Sequence, residues 1–325
     1  MNIHSDLYLW AIWGVFVISI FFIIAYLEKY ILTKNSFSSA ATVSIAWIIA
    51  AIIFNIILWY YLKINFNQII ANQKALEFFT GYLLEKSLSL DNLFVFVLIF
   101  RYFHIPDLYQ KRVLNYGIIG AIVLRILMIF FGIWLISKLH WVLYVFGAFL
   151  IFSGGKILLA SYSGSNHKEN LNNNLIVILC HKYLRTTKDL AKENFFITKY
   201  KKLYVTPLFL AMILIEISDI MFAADSIPAI LAILNDPFII VTSNIFAILG
   251  LRALYFFLAI SVHKFSFLQQ GIALLLIFIG IKMLCELHLS IVVTLSIMSI
   301  ILIASILLSV IFPSKKINKL PRNTK

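Results

Sequence analysis

The sequence predicts an all-α, polytopic membrane protein with about nine transmembrane helices. Three observations predict it. Of 325 residues, 62% are hydrophobic and only 13% charged, and the mean hydropathy is +0.98. Apolar runs of about 20 residues recur along the chain, each long enough to cross a hydrocarbon core of roughly 30 Å. Lys and Arg alternate between rich and poor connections, as the positive-inside rule requires. A transmembrane barrel is excluded, because its strands are short and alternate in polarity. The net charge of +13 follows from this sidedness and does not call for nucleic acid.

Taken in order, the spans cover about 7–27, 40–62, 77–100, 113–136, 141–160, 206–232, 238–262, 267–285 and 290–312. With the N-terminus outside, the inner connections and tail hold 19 of the 27 Lys and Arg, and the outer side holds 3, Lys63, Lys74 and Lys138. That asymmetry puts the C-terminus in the cytosol. The opening MNIHSDLY has no basic region, and no small-residue cleavage site follows the first span, so no removed signal peptide is expected. Cys180 and Cys285, the two cysteines, make neither a disulfide framework nor a thiolate metal site.

Five regions follow: peripheral spans 1 and 2 (1–76), a first three-helix unit (77–160), a cytosolic loop (161–205), a second unit (206–286), and span 9 with a basic tail (287–325). The loop opens with the polar run SYSGSNHKENLNNN and continues as LIVILCHKYLRTTKDLAKENFF, which predicts an amphipathic cytosolic helix on the membrane face. A cytosolic partner, if there is one, would dock at 161–202.

The two units repeat one another. LIFSGGKIL (Leu150 to Leu158) matches LIFIGIKML (Leu276 to Leu284), aligning Gly154 with Gly280 and Lys156 with Lys282. One span earlier Arg125 aligns with Arg252, and one span before that Glu85, Asp91 and Asn92 fall on Asp219, Asp225 and Ser226. Each unit has three crossings, so the copies are inverted, an architecture that places binding sites near the midplane where the repeats meet.

The organising stretch is Leu214 to Ala229, LIEISDIMFAADSIPA, with Glu216, Asp219 and Asp225 in an otherwise apolar span. A carboxylate at mid-membrane costs roughly 2.5–3.5 kcal/mol, so these acids need cations, protons or basic partners. Five in-span acids stand against Lys86, Arg125 and Arg252 near the core, once Lys156 and Lys282 are allowed to snorkel. Arg125 with Asp91, and Arg252 with Asp225, are the expected ion pairs. Two negative charges then remain, the charge of one divalent cation. Pro228 predicts a kinked or unwound segment that swings Asp225 toward Asp219. The available ligands are all oxygens, from Glu85, Asp91, Asn92, Glu216, Asp219, Asp225, Ser226, Ser87, Ser89, Ser218 and Asn244. Hard oxygen donors suit Mn²⁺, Ca²⁺ or Mg²⁺.

The motifs EKSLSLDN (Glu85 to Asn92) and EISDIMFAADSIPA (Glu216 to Ala229) resemble the signatures of the TerC/Alx family of integral membrane proteins, named for tellurium resistance. The resemblance covers nearly the whole chain. It implies efflux of divalent metal, chiefly Mn²⁺, from a bacterial cell across the inner membrane, with Glu85, Asp91, Asn92, Glu216, Asp219, Asp225 and Ser226 as metal ligands. The expected function is ion transport in metal homeostasis: a secondary transporter exporting manganese through this site in exchange for protons, with no tightly bound cofactor and no nucleotide-binding loop. The rival is a non-transporting membrane partner that supports tellurite or oxyanion resistance, or membrane-protein insertion. An enzyme is not expected, since the G-x-G-D loop of an intramembrane aspartyl protease is absent and Asp219 and Asp225 share one span.

Overall fold

The computed structural model describes residues 7–31, 37–139, 141–162, 185, 187, 194–199, 202–261, 267–287 and 289–312. Its elements are α1 (Leu7–Ile31), α2 (Phe37–Asn65), α3 (Gln68–Tyr102), α4 (Asp107–Lys138), α5 (Val142–Tyr162), β1 (Phe196–Lys199), β2 (Lys202–Val205), α6 (Pro207–Leu231), α7 (Pro237–Leu249), α8 (Leu251–Ser261), α9 (Leu268–Leu284) and α10 (Ile291–Ile311). Each predicted span falls on one helix, except the seventh, which α7 and α8 share across Gly250. Among the described residues six stretches are long and apolar enough to cross a membrane, and Tyr8–Ile24 and Leu268–Leu284 are shorter apolar helices. The protein is an all-α polytopic membrane protein.

Helix starts follow local chemistry. Thr206 precedes Pro207 at the head of α6, and Asp236 precedes Pro237 and accepts from Phe238 N at 3.0 Å at the head of α7. Proline suits the first helical turn, where its missing donor has no helical partner to lose. At the same end of the molecule Lys74 Nζ lies 2.7 Å from Glu77 Oε2 and 3.1 Å from Asp236 Oδ2, tying α3 to the start of α7.

Two expectations about local structure are corrected. Most of the loop lies outside the described residues, but its end, read as the last turn of an amphipathic helix at Phe196, is extended. Residues 196–199 and 202–205 form an antiparallel hairpin pairing Phe196 with Val205 and Lys199 with Lys202. The run FITK…KLYV is rich in aromatic and β-branched residues, which favour a half-exposed strand. In α6 the helix continues through Pro228 to Leu231, with Ala232 N–H closing on the carbonyls of Pro228 and Ile230. Pro228 sits within one turn of the helix end, so the missing donor ends the helix without opening its middle.

The packing sets helices of the first predicted unit against helices of the second. α4 lies along α6, α7 along α3, α3 along α6, and α5 most extensively along α9. At the α5–α9 contact an added Cβ on Gly154 would stand 2.6 Å from Ala273 O and 2.8 Å from Ile277 Cγ1. One on Gly280 would stand 2.6 Å from Gly147 O and 2.7 Å from Ile151 Cγ1. In the sequence alignment that equates Gly154 with Gly280, Ala273 and Ile277 fall on Gly147 and Ile151. The contact is therefore reciprocal and antiparallel, as a two-fold relation between α5 and α9 requires.

Buried apolar side chains gather in two clusters. One joins α1, α2, α7, the N-terminal half of α3 and the C-terminal half of α6, around Phe54, Phe78 and Phe246. The other joins α8 with the C-terminal half of α3 and the N-terminal halves of α4 and α6, around Phe100, Leu208 and Tyr255. On α4 the clusters part between Ala121 and Ile129, and on α6 between Ile215 and Ala223. Arg125 and Asp219 occupy those gaps.

Candidate functional site

Arg125 is the largest of the fully buried side chains, 1% exposed. It comes from α4 and reaches the interface of α3 and α6. Its Nη1 lies 2.9 Å from Glu85 Oε1 and donates to Ser226 Oγ at 2.5 Å, while Nη2 lies 3.4 Å from Asp219 Oδ1. Glu85 also accepts from Ser89 Oγ at 3.3 Å, one turn along α3. Asn92 hydrogen-bonds Asp219. Glu85, Asn92, Asp219 and Ser226 are all at most 3% exposed. Four of the seven predicted site residues thus converge from the two units on one dry point.

Glu216 lies one turn before Asp219 on α6 and leans on α4. A Cβ on Gly120 would fall 2.6 Å from its carboxylate atoms, so the acid in this position fills the space that glycine leaves. Its Oε2 is buried without a hydrogen-bond partner among the described residues, as are Glu85 Oε2 and Arg125 Nε. An unsatisfied buried polar atom costs about 1–3 kcal/mol, more when charged. Asp225 points to α5, where Ser153 Oγ donates to its Oδ1 at 3.0 Å. The side chain of Asp91 lies outside the described residues. Among the described residues no group of three or more His, Cys, Asp and Glu is gathered closely enough to hold a metal ion. Within the cluster the guanidinium stands between Glu85 and Asp219.

Among the described residues Arg125 serves Glu85 and Asp219, and Arg252 donates to Asn115 on α4; the expected pair of Arg125 with Asp91 falls outside the described side chains. Lys86 Nζ donates to Ala247 O at 3.2 Å, near the end of α7. Of the expected oxygen donors, Ser87, Ser218 and Asn244 turn back on carbonyls of their own helices four residues earlier, a habit of short polar side chains inside helices. Sequence reasoning missed Ser153 and the seat at Gly120. A mid-span Arg within each unit was the available signal for the central bridge.

A family description, "Integral membrane protein TerC family", matches residues 70–319. The chain belongs to the TerC family. The matched region opens at the start of α3, runs past the end of α10, and holds every residue of the cluster, so α1 and α2 precede it. Among TerC relatives, the Escherichia coli K12 protein named "Putative membrane-bound redox modulator Alx" is 50% identical over 245 residues, 75% of each chain. The protein of the same name from Salmonella typhi is 50% identical over 249 residues, 77% of this chain and 76% of that one. An "Uncharacterized membrane protein" of Buchnera aphidicola subsp. Schizaphis graminum is 40% identical over 310 residues, 93% of this chain and 98% of its own. No solved structure gave a significant match.

Proposed function

We propose that this TerC protein is a secondary transporter that exports a divalent cation, Mn²⁺ foremost, from the cytosol across the bacterial inner membrane. The observation that carries the reading is the convergence of Glu85 and Asp219, one from each unit, on a buried point with a single guanidinium between them. Two carboxylates against one Arg leave a net negative charge, to which Glu216 adds an acid with a buried, unpartnered oxygen. All the donors are oxygens, which suit Mn²⁺ or Ca²⁺. Exchange for protons follows from the same groups: a carboxylate that gives up its cation in a dry site takes a proton in preference to standing as a bare charge. The orientation that fits the Lys and Arg distribution has the N-terminus outside and the C-terminus in the cytosol.

The name of the Alx relatives speaks of redox modulation. A carrier of a redox-active metal such as Mn²⁺ would alter redox state through its cargo, with no cofactor of its own, and this favours Mn²⁺ over Ca²⁺. The test is ⁵⁴Mn²⁺ flux in proteoliposomes. Glu85→Gln and Asp219→Asn, purified at wild-type yield, are expected to lower flux at least about tenfold, the effect of losing roughly 1.4 kcal/mol of ion binding. Flux unchanged in both variants would count against a cation path through this cluster. It would favour the non-transporting partner, whose function deletion of 161–202 should abolish.

A further inference from the structure

Arg125 holds its two acids loosely. Each carboxylate meets it through a single oxygen, at 2.9 Å for Glu85 and 3.4 Å for Asp219. One nitrogen, Nη1, is shared between Glu85 and Ser226. Arg125 Nε and Glu85 Oε2 are left over, buried and without hydrogen-bond partners among the described residues. A guanidinium that cements a fold binds a carboxylate through two parallel hydrogen bonds, and a buried pair is stable only when its remaining donors and acceptors are satisfied. Neither condition holds here, although Arg125 is almost fully buried. Its charge is permanent. It also lies between acids from opposite units, where a cation binding to both of them would have to lie.

We propose that Arg125 is a tethered counter-cation. In the ion-free carrier its guanidinium holds Glu85 and Asp219 together and lets the empty site change sides; an arriving divalent cation displaces it. The inference rests on the transport reading. Arg125 would then be a positioning residue that competes with cargo, in contrast to a ligand or a structural clasp. A ligand such as Glu85 strengthens binding, whereas a competitor weakens it, and the two predict opposite effects of mutation on affinity.

The experiment uses full-length protein in proteoliposomes and measures three quantities: equilibrium Mn²⁺ binding, net ⁵⁴Mn²⁺ efflux into metal-free buffer, and ⁵⁴Mn²⁺/Mn²⁺ exchange. Net efflux needs the empty carrier to return; exchange does not. Arg125→Gln is expected to bind Mn²⁺ at least about tenfold more tightly, within the usual range of coupling between two ligands. Its net efflux should fall about tenfold or more while exchange stays within about twofold of wild type. Arg125→Lys keeps the charge, and with it the fold should Arg125→Gln not yield protein. Its ammonium ends one bond short of the guanidinium nitrogens and lacks their planar fork, so it should hold the two acids less well, bind Mn²⁺ more tightly than wild type and retain net efflux. Net efflux and exchange lost in parallel in Arg125→Gln, or Mn²⁺ affinity unchanged or lowered in Arg125→Lys, would overturn the inference and leave the transport reading standing. Wild-type vesicles that move no ⁵⁴Mn²⁺ would overturn both.

Discussion

At Arg125 one side chain meets a carboxylate from each unit, and its neighbours decide whether the site is tight or yielding. Gly120 is the sharpest test among them, because a methyl group there would lie 2.6 Å from the Glu216 carboxylate. The far end of a flexible side chain can move aside, so Gly120→Ala should leave thermal stability within about 1 kcal/mol while lowering ⁵⁴Mn²⁺ flux several-fold; overpacking that cannot relax costs about 1–3 kcal/mol. Unchanged flux would show that Glu216 is idle. At this scale the sequence made the acids legible: a charge in an apolar span has to be accounted for, and Glu85, Asn92, Asp219 and Ser226 do converge. It did not make the partner of Arg125 legible. Matching charges span by span says nothing about which acid lies at the same depth and on the facing side. Glu85 and Asp91 are six residues apart, about 240° around an ideal helix, so an alignment by span alone does not say which of them faces α4.

Among the elements, α5 and α9 give the most direct view of the repeat, since Gly154 and Gly280 meet equivalent backbone across the contact. A methyl at either position presses on a carbonyl oxygen that cannot rotate away. Gly154→Ala and Gly280→Ala should therefore destabilise the detergent-solubilised protein by similar amounts, about 1–3 kcal/mol each. Gly155→Ala meets nothing within 4 Å and should be neutral or stabilising by up to about 1 kcal/mol. Strongly unequal effects at Gly154 and Gly280 would contradict the two-fold relation. The glycines were visible in the sequence as aligned letters, but their close approach to the facing carbonyls had to come from the structure. The strand pair 196–199 and 202–205 was not visible as such, because two four-residue strands show little pattern of their own until each is set against its partner. The uninterrupted α6 has a similar lesson: a proline signals a break, but its distance from the helix end determines how much is broken.

For the whole molecule, two apolar clusters enclose a thin polar layer marked by Arg125 on α4 and Asp219 on α6. The sidedness proposed for the membrane can be read with the native cysteines. Cys285, exposed just after α9, belongs on the outer face, and Cys180, in the loop outside the described residues, belongs in the cytosol. A membrane-impermeant maleimide added to intact cells should label wild type and Cys180→Ser but not Cys285→Ser. Labelling that survives in Cys285→Ser and vanishes in Cys180→Ser would invert the topology. The all-α membrane class and the order of the apolar helices were legible because bilayer thickness fixes helix length. The meeting of the two units at Arg125 depends on distance across helices and had to come from the structure.

The central claim is that the buried acids of the two units bind one divalent cation together. Its most direct test is the metal content of purified protein equilibrated with Mn²⁺, read by electron paramagnetic resonance. The account predicts about one bound Mn²⁺ per chain, lost in Glu85→Gln and in Asp219→Asn alike, as expected for a site whose ligands come from both units. Wild-type protein with no Mn²⁺ above a detergent blank, or the same content in both variants, would contradict it.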